Sequence, residues 1–205
     1  MIVWVDNFLS LSTQETLNDD IENDLNKHFK VKSLGVPNLL LGIKLTIGDE
    51  YISLSQSHYI NILLEKYGMV DANPVSTLMD PNMKLDVAED KEPINGNHNP
   101  KIEHGYTQLI GSLMYLTIAT HPNISYAVNQ LAQYTSNPKP LHWTAVKRIF
   151  RYLKYMKNTT LTYGGKDTKI KNSDLNFFCD ANWGNGPDQK SINRYVVIIA
   201  GGAVA

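Results

Sequence analysis

The chain has 205 residues, 42% of them hydrophobic and 19% charged, with a formal net charge of -1. That supports one or two globular domains with a real core. One cysteine, Cys179, excludes an internal disulfide framework and a cysteine-rich zinc site. No apolar run reaches the roughly 20 residues of a membrane-spanning helix, and no basic region precedes the first apolar residues as in a signal peptide. The expectation is an intracellular protein with no membrane partner.

The first apolar run, residues 2–6, reads as a short buried strand ending in Asp6. Ser12 and Glu15 have capping-box spacing. Leu17, Ile21, Leu25 and Phe29 follow at helical spacing, so about 13–30 reads as an amphipathic helix. Residues 39–47 alternate Leu41, Ile43, Leu45 and Ile47 against Gly42, Lys44 and Thr46, which reads as a strand. Gly48-Asp49-Glu50 makes a turn, and Tyr51 to Leu54 returns. Ser57 is placed to cap a second helix with Ile60, Leu63, Leu64 and Tyr67 inward, closed by Gly68.

Residues 71–105 carry Pro74, Pro81, Pro93 and Pro100 and read as a linker. A helical block follows over 106–160. Tyr106, Leu109, Ile110, Leu113 and Met114 share a face. Pro122 opens a helix with Ile124, Ala127, Val128 and Leu131 inward. Pro140 opens another with Trp143, Val146, Phe150 and Leu153 inside. After Gly164-Gly165 the period changes, and Leu175 to Asp180 and Tyr195 to Ala200 read as strands. The chain ends within an apolar, Gly-rich run, Val196 to Ala205, which reads as the interior of a domain.

Three features bear on chemistry. Phosphoryl transfer on nucleic acids commonly uses two divalent metals held by carboxylates, and Mg²⁺ demands oxygen ligands. Asp6 and Asp180 each end an apolar run, where a carboxylate can meet a metal. Taken alone, each is more often a turn-forming residue. The third feature is a basic helix. Residues 1–138 hold eight basic and sixteen acidic side chains, whereas residues 139–171 hold nine basic and one acidic. Lys147, Arg148, Arg151, Lys154 and Lys157, with Trp143, Tyr152 and Tyr155 among them, could track a phosphate backbone. The plain alternative is a solvated helix face with Trp143 in the core. The histidines, His28, His58, His98, His104, His121 and His142, lack metal-ligand spacing and read as structural or surface residues.

The order of these signals is more specific than any one of them. Trp4-Val5-Asp6-Asn7 resembles the Tyr-Val-Asp-Asp of copia-type LTR retrotransposon Pol polyproteins. Ser33-Leu34-Gly35 through Leu40-Leu41-Gly42-Ile43, Leu54-Ser55-Gln56 with Tyr59-Ile60, and Pro74-Val75-Ser76-Thr77 follow that family's stretches in order. So do Tyr106, Gly111-Ser112-Leu113-Met114-Tyr115-Leu116 and Thr120-His121-Pro122-Asn123-Ile124. His142-Trp143, Ala145-Val146-Lys147-Arg148 and Arg151-Tyr152-Leu153-Lys154 match almost residue for residue. Asp180-Ala181-Asn182-Trp183 resembles Asp-Ala-Asp-Trp. The likeness covers essentially the whole chain.

The resemblance implies an α+β fold. Residues 1–70 would be the C-terminal part of a reverse transcriptase palm (strand, helix, β-hairpin, helix) and 71–105 a linker. Residues 106–160 would form a helical thumb or connection segment, and 161–205 the first strands of a ribonuclease-H-like domain. It implies Mg²⁺ or Mn²⁺ as cofactor, with Asp6 a polymerase metal ligand and Asp180 a ribonuclease H metal ligand. Lys147, Arg148, Arg151 and Lys154 would lie on nucleic acid. The implied partners are an RNA/DNA template–primer duplex and the rest of a Pol polyprotein. Asn7 stands where the family has a second Asp, and Asn182 and Asn123 also replace acids. An amide lacks the charge that holds Mg²⁺, so the isolated chain is expected to be inactive. The competing expectations are a non-catalytic nucleic-acid-binding remnant and an inert product of a decayed transposon copy.

Overall fold

The structure is a computed structural model and describes residues 2–5, 7–12, 14–80, 83, 85, 100–165, 175–182 and 192–204. The chain forms two compact units, Met1–Pro37 and Asn38–Ala205. The first holds an antiparallel hairpin, β1 (Ile2–Trp4) and β2 (Asn7–Leu9), and one helix, α1 (Glu15–Asn26). Trp4 pairs with Asn7. Val5 has a φ of 50°, the left-handed conformation that tight hairpin turns need and β-branched residues disfavour. The expected buried strand over 2–6 is thus an exposed arm ending at Trp4, with Ile2 and Val3 open to solvent.

The expected capping box also fails. Ser12 closes a local turn instead, its Oγ donating to the Gln14 carbonyl (2.8 Å) and accepting from the Gln14 N–H (3.0 Å). Gln14 becomes the N-cap, and the helix is shorter than the 13–30 expected. A serine hydroxyl bonds the nearest backbone as readily as a helix end.

The second unit is built on four helices: α2 (Ser57–Lys66), α3 (Pro100–Ala119), α4 (Ser125–Ala132) and α5 (Pro140–Met156). A 3-10 turn, Pro122–Ile124, leads into α4. Prolines open α3, the 3-10 turn and α5, as a ring with no N–H to lose allows. The core is one cluster. It contains Ile60, Leu63 and Leu64 of α2, Tyr106, Leu109, Leu113 and Leu116 of α3, Val128 and Leu131 of α4, and Val146, Phe150 and Leu153 of α5. Burying each such side chain contributes about 1.5–3 kcal/mol. Met114, expected on the inward face, is exposed, whereas Leu116 is buried. Trp143 is half-buried, its ring edge-on to Tyr106 at 5.6 Å. No helix among the described residues is long and apolar enough to cross a membrane.

Two sheets flank the helices. The first has the order β3-β4-β5-β6, all antiparallel: β3 (Leu39–Leu40), β4 (Ile43–Ile47), β5 (Tyr51–Ser55) and β6 (Leu161–Gly164). Residues 39–47, read as one strand, are therefore two. Leu41 (φ 50°) and Gly42 (φ 77°) form a two-residue turn between them. The Tyr115 hydroxyl donates to the Leu41 carbonyl and fixes this apex to α3. Residues 161–164, read as opening the last segment, add the fourth strand, with Leu161 opposite Leu54 and Gly164 opposite Tyr51. The second sheet is β7 (Leu175–Asn182), β8 (Ile192–Ile199) and β9 (Gly202–Ala203). It meets β6 end-on: the Gly164 N–H donates to the Ala200 carbonyl (2.7 Å) and the Tyr163 hydroxyl to the Ala203 carbonyl (2.6 Å).

Candidate nucleic-acid interface

Asp6, the expected polymerase metal ligand, lies outside the described residues. Its neighbours are described: Val5 carries the strained turn, and Asn7 opens β2 with its side chain exposed. Asp180 is not at a strand end. β7 continues to Asn182, and Asp180 sits inside the ladder directly opposite Arg194. Both are exposed. The Arg194 guanidinium turns to the Tyr126 ring of α4, 4.4 Å from its centroid, a cation–π contact that ties this sheet to the helices. Among the described residues, no three of His, Cys, Asp and Glu come together in a group that could hold a metal ion. A two-metal site needs several carboxylates. The surroundings of Asp180, with a cation opposite and Phe178 and Val196 beside it on that face, do not fit one.

The basic helix is α5, and most of its cations are occupied. Arg148 Nη2 donates to Thr77 Oγ1 (2.7 Å), and Arg151 Nε donates to the Asn73 carbonyl (2.6 Å). Lys154 Nζ donates to the carbonyls of Val70 (2.6 Å) and Ala72 (2.9 Å). The Val75 N–H returns a bond to the Arg151 carbonyl (3.3 Å). Residues 71–77, read as the start of a linker, thus form with Val70 a strap lying along α5. Of the four expected nucleic-acid contacts only Lys147 is fully exposed. Among the aromatics, Trp143 packs on Tyr106 and the Tyr152 hydroxyl accepts from Asn123 Nδ2 (2.8 Å). Tyr155 alone is open to solvent. The strap contacts carried no local signal, because the partners lie more than 70 positions apart.

Two histidines are structural, as expected. His142 is buried, accepts the Lys139 N–H at Nδ1 (3.0 Å) and stacks on Tyr134 at 3.9 Å. It thereby completes the capping box at the start of α5. Beside it lies a cavity of about 250 Å³ reached by Leu85, Tyr134 and Asn137. His121 is 2% exposed and joins a buried chain: Thr120 Oγ1 donates to Gln56 Oε1 (2.7 Å) and contacts His121 Nδ1 (2.7 Å). Which of Thr120 Oγ1 and His121 Nδ1 donates to the other is set by the ring tautomer. Burial lowers the His121 pKa, and the Met156 backbone, which favours the charged ring, offsets part of that. His98 lies outside the described residues.

A family model described as reverse transcriptase (RNA-dependent DNA polymerase) matches residues 1–81, which contain the β1–β2 turn, the hairpin of β4 and β5, and the strap. Over 208 residues the chain is 32% identical to the retrovirus-related Pol polyprotein from transposon TNT 1-94 of Nicotiana tabacum. Residues 1–81 thus carry a reverse transcriptase family segment, and the chain is similar along its whole length to retrotransposon Pol polyproteins. That alignment covers 100% of the chain and 15% of the relative. The Pol polyprotein from transposon RE1 of Arabidopsis thaliana is 34% identical over 97% of the chain and 13% of its own length. An uncharacterized mitochondrial protein of Arabidopsis thaliana is 30% identical over 89% of the chain and 71% of its own length. The chain therefore spans about one seventh of the Pol polyproteins it matches. No solved structure matches it. Members of this family act on nucleic acid templates and use divalent metals.

Proposed function

We propose that the chain is a copia-type Pol segment running from the reverse transcriptase palm into the start of a ribonuclease-H-like domain. In the intact polyprotein it would serve RNA-directed DNA synthesis on a template–primer duplex. The single observation that carries this reading is collinearity: one alignment to a Pol polyprotein covers 100% of the chain. Under it, residues 1–70 are late palm, 71–105 a connector, 106–160 thumb or connection, and 161–205 the nuclease start. Asp6 is the polymerase metal ligand, for Mg²⁺ or Mn²⁺; Asp180 stands at the family's nuclease position, but with Arg194 opposite it the residues present do not fit a metal there. The metal would supply charge stabilisation for phosphoryl transfer.

The isolated chain lacks polymerase activity under this reading. Asn7 offers an amide oxygen where a second charge is needed, and Asp180 faces Arg194 rather than another acid. Primer extension with purified protein and Mg²⁺ or Mn²⁺ is expected to stay at background. Extension that disappears in Asp6→Ala would overturn this.

A second reading is favoured by one observation. Lys147, Arg148, Arg151 and Lys154 form no ion pair with any carboxylate among the described residues. Four uncompensated cations on one helix suit a phosphate backbone, so the chain binds duplexes weakly, without sequence preference and with steep salt dependence. Salt-independent binding would remove this reading.

A further inference from the structure

The strap 70–77 occupies the cations that a duplex would need. Its grip is entirely on neutral groups: three backbone carbonyls and one hydroxyl receive the hydrogen bonds of Arg148, Arg151 and Lys154. Asp71 lies within the strap, exposed and in no ion pair among the described residues. Bonds with one ionised partner, as these are, already exceed neutral–neutral ones, but the strap's carbonyls and hydroxyl carry no net charge, whereas a phosphate diester adds a full negative charge and its Coulomb attraction. A phosphate diester is therefore a better acceptor for these cations than the strap is. Arginine forks also prefer two parallel bonds to one anion. Here Arg148 Nε is buried without an acceptor, so that fork is incompletely used.

The strap is held differently at its ends. Met69 on one side and Leu78 and Met79 on the other pack against the helical core. The Met69 N–H also bonds the Leu64 carbonyl (2.7 Å) at the close of α2. Between these apolar anchors only the polar contacts to α5 hold the chain down. The middle can lift without unfolding the core. We propose that the strap and a nucleic-acid backbone are alternative occupants of the Arg148–Arg151–Lys154 face, so that duplex binding releases residues 70–77 from α5. This deepens the nucleic-acid-binding reading above and rests on it.

The experiment uses the full chain and a short RNA–DNA hybrid duplex. Binding is followed by fluorescence anisotropy, and strap opening by hydrogen exchange of the peptide covering 70–77. At saturation the strap amides are expected to exchange several-fold faster, with α3 and α4 unchanged. Thr77→Val is a charge-neutral change at an exposed position that removes the acceptor of Arg148. It is expected to raise hybrid affinity about two- to threefold, the direction that loss of one competing bond dictates. Saturable binding with unchanged or slower strap exchange would sink the competition and leave the binding reading intact. So would a Thr77→Val affinity equal to or below that of the parent. Failure of both proteins to bind at low salt would overturn the reading and the inference together.

Discussion

Buried polar side chains make the sharpest demands at the level of single residues. His121 is neutral in the fold because burial lowers its pKa from the usual 6.5. Below about pH 6.5 the unfolded ring takes a proton that the folded ring refuses, so the unfolded state binds more protons and stability falls as pH falls. Denaturant unfolding from about pH 7.5 down to about pH 5.5 is expected to show this loss. His121→Gln should flatten it, and parallel slopes in the two proteins would contradict the assignment. Tyr106 is the largest fully buried side chain, and its hydroxyl donates to the Leu131 carbonyl (2.9 Å). Burial pushes its pKa up strongly, with Tyr134 adding to the shift, so the bond is kept at any ordinary pH. Tyr106→Phe removes that bond while the carbonyl keeps the Tyr134 N–H (3.2 Å), and is expected to cost about 0.5–1.5 kcal/mol in chemical denaturation. Residue types announced neither role. A Thr-His pair or a helical tyrosine is common, and only the approach of Gln56 and Leu131 from distant segments turns them into networks.

Hairpin geometry dominates at the level of elements. Strand alternation over 39–47 concealed a turn, because Leu41 and Gly42 keep the apolar–polar rhythm while both adopt φ near the left-handed region. Gly42 was the available clue, since a glycine inside an alternating run signals a bulge or turn. Leu41 is half-exposed at 48% and stays left-handed at a cost of about 1–2 kcal/mol. Leu41→Asn creates the Asn-Gly pair such turns prefer and is expected to raise thermal stability by a few degrees. Gly164 is the opposite case. It has a φ of 77°, and a Cβ there would run into the Glu50 carbonyl oxygen. Gly164→Ala is expected to cost more than about 1 kcal/mol and to loosen β6 from β5, read as faster amide exchange over 161–164. Unchanged exchange would mean that β6 is held by other contacts. The helices were more legible. The starts at Pro122 and Pro140 and the apolar periods are local properties of the chain, and packing respected them, but α3 begins at Pro100, inside the stretch 71–105 read as a linker.

At the scale of the whole molecule, the β7–β8 sheet leaves an apolar face open. Leu175, Phe177 and Cys179 of β7 share a sheet face with Ile199, Val197 and Tyr195 of β8. Phe177 and Tyr195 are 62% and 61% exposed and stack on each other at 6.1 Å. An exposed apolar face of this kind promotes association. Paired Phe177→Thr and Tyr195→Thr changes are expected to raise solubility with little change in thermal midpoint, since neither ring is in the core. A large fall in the midpoint would show that the face is structurally required. Charge distribution acts at the same scale. The basic block at 139–171 is clear in composition, but composition cannot tell a cation free for phosphate from one bonded to a strap. That distinction required knowing which backbone carbonyls pass over α5.

The sequence by itself determined the ancestry, the mixed helix-and-sheet class and the four helical core segments. Each is written in local order, as a collinear motif series, an apolar period or a proline at a helix start. Tertiary structure alone decided that β6 joins the early hairpin, that Asp180 faces Arg194, and that the linker's first residues clamp the basic helix. Those outcomes depend on pairings between residues far apart in the chain, where neither periodicity nor spacing records which backbone group will be the partner.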